Sequence, residues 1–218
     1  MLNQEKWEEV KNKKLHTGSG KNLDTACIMQ MVSYVAGEKW TDHPECACPI
    51  LTEYAIRLND RFNDEHRQRL KDFIPLLVGT RAGDEIRIAR KRLLYWRNVT
   101  ATYPLILDLI KLPELAEKLR TFQNNVDDMK SAASFLNENK EVIKKATYAY
   151  ANIYAYAYAN TYAYAYADAD AYAYTNIYAY AYANTYADAD AYAYADALRE
   201  KIADTAIETL KMLIAIQT

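Results

Sequence analysis

Seven consecutive residues, Asp42-His43-Pro44-Glu45-Cys46-Ala47-Cys48, concentrate the side chains best suited to bind a metal or move a proton. With Cys27 added, His43, Cys46 and Cys48 would give one imidazole and three thiolates, a legitimate donor set for zinc. The spacing is less diagnostic than a Cys-x2-Cys knuckle, and no second knuckle follows. Cys27 lies in an apolar stretch, where a thiol ordinarily serves as a small hydrophobe. The plainer reading is a Pro-bounded loop whose polar groups cap neighbouring backbone. A Cys–His nucleophile needs a third group to orient the imidazole and donors for an oxyanion, and the sequence supplies neither. No catalytic residue and no cofactor is assigned, and the balance leans away from an enzyme.

Two further segments bear on phosphate chemistry. His16-Thr17-Gly18-Ser19-Gly20-Lys21-Asn22 resembles the end of a phosphate-binding loop, but Leu15 stands where the first glycine belongs, and Asn22 where Ser or Thr should follow the lysine. Residues 81–97 form the most basic stretch, with Arg81, Arg87, Arg90, Lys91, Arg92 and Arg97 against Asp84 and Glu85. Acids in the first turn and bases after it are what a helix dipole favours, so a solvated helix accounts for the pattern. Nucleic-acid binding through this helix is a second alternative, and a pI near 6.0 argues against it.

The elements that carry these residues read as helices. Leu23 to Ala36 is apolar on most sides, opened by Asp24 and closed by Gly37, as expected of a central buried helix. Leu51, Tyr54, Ala55, Leu58 and Phe62 follow one helical stripe. Asn63 or Asp64 caps the next segment, with Leu70, Phe73, Ile74 and Leu77 on one face and Pro75 placed to kink or shorten it. Asp84 opens another, with Ile86, Ala89, Leu93 and Trp96 inward; Pro104 and Pro113 stand before two more, and Val126, Met129, Ala133 and Leu136 mark a last one. No alternating strand pattern of convincing length precedes residue 147. The fold class is therefore mainly α, with a multi-helix globular domain over 1–146.

From Tyr148 to Asp196 every even position is Tyr, Asn or Asp and every odd position Ala, Ile or Thr. An eight-residue register of Asn152, Asn160, Asp168, Asn176 and Asn184 lies on top, within a 24-residue duplication. Sixteen of the 20 tyrosines fall here, with no Gly, Pro, Lys or Arg to break the run. Period two is a strand signal, yet alanine is the best helix former, no breaker supplies the turns that a sheet needs, and both flanks are helical. The tract 147–197 is expected to be a helical low-complexity arm, with β structure as the alternative, followed by an amphipathic C-terminal helix over 198–218. Each phenol joins an apolar ring to a polar tip, a character suited to interfaces. The expected interaction surface is Tyr154, Tyr156, Tyr158, Tyr162, Tyr164, Tyr166, Tyr178, Tyr180 and Tyr182, serving a homo-oligomer or a protein partner.

A formal charge of −2 over 218 residues predicts no strong pull toward nucleic acid or anionic membrane. The mixed-charge start lacks the apolar core of a secretion signal, and no stretch reads as a membrane span, so a cytoplasmic chain with reduced thiols is expected. Residues 27–49, CIMQMVSYVAGEKWTDHPECACP, resemble a signature of small uncharacterised bacterial and bacteriophage proteins: Cys-x-Met-x-x-x-x-Tyr-Val-Ala-Gly-Glu, then Asp-His-Pro-x-Cys-Ala and a proline. The likeness continues through Leu58 to Asp60, Ile74-Pro75, Val78 to Thr80 and Leu210 to Ile214. It implies an Ala-rich helical segment before the terminal helix, and often Ser at the position of Cys48. It carries no established activity. The expectation is a non-enzymatic protein of phage or mobile-element type that self-associates or docks a partner through its arm. The alternative is a metal-binding regulatory protein or an enzyme using the Asp42–Cys48 loop.

Overall fold

The computed structural model describes residues 1–146, 157–158, 180–181 and 189–216. The chain is mainly α. In order the helices are α1 (Gln4–Val10), α2 (Ile28–Val35), α3 (Pro49–Arg61), α4 (Asp64–Gln68), α5 (Ile74–Leu77), α6 (Asp84–Arg97), α7 (Tyr103–Leu109), α8 (Pro113–Arg120), α9 (Val126–Glu138), α10 (140–146) and α11 (Ala189–Ala215). A 3-10 turn (Lys71–Phe73) leads into α5, and a π turn (Asn98–Thr102) joins α6 to α7. Ala157–Tyr158 and Tyr180–Ala181 form a two-residue antiparallel pairing. No helix among the described residues is long and apolar enough to cross a membrane.

Two compact units divide the chain: Met1–Arg90 with Ala206–Thr218, and Lys91–Thr205. The first is built around α2. Seven of its eight residues are buried, Gln30 and Ser33 among them, and it packs against α1, α3 and α5. Ile28, Met29, Met31, Leu51, Leu70, Ile74 and Leu77 fill this core, together with Leu210 and Leu213 of α11. Helix α2 starts at Ile28, later than the Leu23 expected from its apolar run. Residues 15–27 instead form an irregular strap pinned by distant groups: His16 donates to Ala26 O (2.9 Å), and Gln30 both accepts from Gly20 N (2.8 Å) and donates to Gly20 O (2.7 Å). Pro75 sits in the first turn of α5, where a missing N–H costs nothing, and so begins that helix.

The second unit closes over Val99, Leu107, Ile110, Ala116, Leu119, Phe122, Met129, Leu136 and Ile143. Trp96 anchors it by donating Nε1–H to Phe122 O (2.9 Å). The π turn has a local cause. Pro104 has no N–H for Thr100 O, and its ring would crowd that carbonyl in a regular helix. One widened turn, with Tyr103 N donating to Asn98 O, removes the conflict.

The expected helical conformation of the arm is met over its last residues, 189–197. At Ala157–Tyr158 and Tyr180–Ala181 the helical expectation fails and the β alternative is found, in keeping with the period-two alternation of Tyr and Ala. The remainder falls outside the described residues, as do all of the nine surface tyrosines except Tyr158 and Tyr180.

Candidate functional site

The Asp42–Cys48 loop lies between α2 and α3, and the side chains of Asp42 and His43 have partners on the preceding strap and on α3. Pro49 at the first turn of α3 ends the loop and sets the direction of that helix, which brings Glu53 back over His43. Asp42 Oδ1 contacts His43 Nδ1 at 2.7 Å, and His43 Nε2 contacts Glu53 Oε1 at 3.1 Å. Ser19 Oγ donates to the other oxygen of Asp42. The result is a linear file, Ser19–Asp42–His43–Glu53, with the His43 side chain 60% exposed.

The electrostatics follow from this order. The hydrogen bond to Asp42 raises His43 above its ordinary value of 6.5; partial burial opposes this and Glu53 reinforces it. Burial alone would raise Asp42, but hydrogen bonds from Ser19 and His43 outweigh it and hold its carboxyl below the usual range. Ser19 faces a carboxylate of lowered basicity and not the imidazole. The file therefore lacks the nucleophile–imidazole contact that acyl transfer requires.

Glu38, just past α2, organises the second half of the loop. Its carboxylate accepts from Glu45 N (2.7 Å) and Cys46 N (2.8 Å), so the loop's own amides surround an internal anion. Burial, aided by the neighbouring Glu38, pushes the Cys46 thiol up, and burial does the same to Cys27. Cys48 is fully buried, and its N–H donates to Thr80 Oγ1 (3.1 Å). All three cysteines are free. Among the described residues no group of three or more His, Cys, Asp or Glu is placed to hold a metal ion. Both ring nitrogens of His43 are taken by carboxylates, and two of the thiols are held in their protonated form.

The 16–22 segment shows the same internal satisfaction. Gly18 N donates to Asp60 Oδ1 (2.8 Å), Gly20 N to Gln30 Oε1 (2.8 Å) and Lys21 N to Thr25 Oγ1 (3.1 Å). The amides that would cradle a phosphate point at side chains of this protein, and no helix begins at Lys21. Gly18 takes φ +69°, and a Cβ on Gly20 would stand 1.9 Å from Thr25 O, so these glycines answer to the strap's own geometry.

Among the basic residues of 81–97, Arg81 donates to Glu45 O (3.1 Å) and Arg87 pairs with Asp84 at 2.9 Å. Arg90 is buried. Its Nε donates to Leu213 O (3.1 Å), Nη2 to Ile216 O (2.9 Å) and Nη1 to Thr80 O (2.7 Å). Arg81, Arg87 and Arg90 thus serve the protein's own structure. Sequence reasoning marked the 42–48 loop but missed Ser19, Glu38 and Glu53, whose positions carry no local signal. It also missed the role of Arg90 in holding α11.

Of the residues carrying the 27–49 resemblance, Cys27, Glu38, Asp42, His43 and Cys46 take part in this network, as do Asn59, Asp60 and Thr80. Asn59 accepts from Ile28 N (3.2 Å) and donates to His16 O (2.8 Å). No family model matches the chain, and comparison with curated proteins and with solved structures gives no match.

Proposed function

We propose that this is a non-enzymatic cytoplasmic protein, of the bacterial and bacteriophage type that its 27–49 signature resembles, and that it self-associates through its Tyr/Ala arm. The observation that carries the reading is the arm itself: 16 of the 20 tyrosines at strictly alternate positions, in a tract whose only charges are five Asp. Association buries Ala and phenol-ring surface while the hydroxyls, Asn and Asp keep contact with water. The 42–48 loop supports the non-enzymatic half of the reading, since Asp42 and His43 bond one another, Ser19 and Glu53, and the amides of Glu45 and Cys46 bond Glu38.

Light scattering on the full chain over a dilution series tests the proposal. The expected result is a molar mass well above 25.1 kDa that falls on dilution. A mass of one chain at every concentration refutes it.

A further inference from the structure

Ser19, Asp42, His43 and Glu53 come from three separate stretches: the 15–27 strap, the loop after α2, and the second turn of α3. Their linear order has a chemical consequence. An imidazolium has two N–H donors and can serve both carboxylates at once, whereas neutral imidazole has one N–H and turns a lone pair toward the other carboxylate. We propose that this file is a proton-operated clasp: protonated His43 binds the 42–48 loop to α3, and loss of the proton releases Glu53 while Ser19 and Asp42 stay joined.

Geometry decides which contact opens. Asp42 is adjacent in sequence and closer, at 2.7 Å, while Glu53 lies across the loop–helix junction at 3.1 Å. The remaining N–H therefore stays with Asp42, and the Glu53 carboxylate then faces a nitrogen lone pair. The charged groups acting on His43 are Asp42 from its own loop and Glu53 from α3; the strap contributes the neutral hydroxyl of Ser19. Because both carboxylates raise His43 above 6.5, the clasp is fully closed below that value and opens as the pH climbs through the raised one.

The loop under this control is held on its far side by the 79–81 turn. Arg81 N donates to Cys46 O (2.9 Å) and Cys48 N to Thr80 Oγ1, while Thr80 O accepts from Arg90. The clasp thus acts on the segment that seats Arg90's turn, and the inference stands independently of self-association.

The test uses the full chain. Ring resonances of His43 are followed by NMR from acid to mildly alkaline pH, and amide exchange is measured over residues 39–48 after correction for intrinsic rates. The expected midpoint lies above 6.5, and Glu53→Gln lowers it. Protection of the loop falls by about two- to fivefold across the transition, the span that an exposed ion pair carries, and Glu53→Ala, which can neither accept from nor donate to the imidazole, shows the lower protection at every pH. A midpoint at or below 6.5, a midpoint unmoved by Glu53→Gln, or loop protection independent of pH overturns the proposal. Reading the titration on the folded wild-type ring keeps the test independent of how well the variant folds.

Discussion

Only 3% of the surface of Arg90 reaches solvent, and its partners are three backbone carbonyls. Leu213 O and Ile216 O lie at the C-terminal end of α11, where the helix dipole is negative and a cation is favoured. Arg90→Met should therefore lower the stability of the first unit by about 3 kcal/mol in urea unfolding, since one buried and two partly buried carbonyls lose their donor. Arg90→Lys should recover less than half of this, because an ammonium cannot reproduce the planar fork. Cys46 makes a second prediction at this scale. With its thiol raised above the ordinary 9.0, alkylation of the native protein at neutral pH should be slower than that of free cysteine and should accelerate as the pH rises. Reaction of Cys46 as fast as a free thiol would contradict the placement beside Glu38. The chemical richness of the 42–48 loop is legible in the sequence, but its use is not. The partners Ser19, Glu53 and Glu38 lie 23, 10 and 8 residues from the groups they contact, and only the docking of α3 and the strap brings them together.

Helix boundaries are legible where the signal is local. Asn63 accepts from a backbone N–H of the first turn of α4, as expected, and Pro113 starts α8; Asn125 caps α9 in the same way. The beginning of α2 is not legible, because Asp24 looks like a cap while Gln30 and Asn59 hold the 15–27 strap in irregular structure from a distance. The π turn is a third case: proline at 104 announces a boundary, but whether the chain breaks or widens depends on the packing of Val99 and Leu107 into one core. The end of α7 carries a strained residue. Lys111 has φ +64°, a conformation that glycine adopts without penalty and other residues at a cost of about 1–2 kcal/mol. Lys111→Gly should raise the thermal midpoint of the second unit, with a gain of about 1 kcal/mol after the greater freedom of glycine in the unfolded chain is subtracted. A fall in the midpoint would show that the Lys111 side chain contributes more than its backbone costs.

At the scale of the whole molecule, composition and architecture divide the chain differently. Gly and Pro stop before residue 114 and the Tyr/Ala tract begins near 147, which suggests a body followed by a tail. The structure instead groups Ala206–Thr218 with Met1–Arg90, through Leu210 and Leu213 in the core, Tyr54 Oη donating to Ala206 O (3.3 Å), and Arg90. The apolar stripe of α11 is readable from its spacing, but its destination is not, since a stripe does not name the surface it covers. The arm is thus followed by a helix that is fixed into the first unit, and its tyrosines are the central element of the functional account. The most direct test is sedimentation equilibrium of the full chain beside a full-length variant with Tyr154, Tyr156, Tyr158, Tyr162, Tyr164, Tyr166, Tyr178, Tyr180 and Tyr182 replaced by Ser. Self-association through phenol surface predicts an oligomer for the natural chain and a 25.1 kDa-class monomer for the variant with its helical circular dichroism retained; equal masses for the two would contradict it.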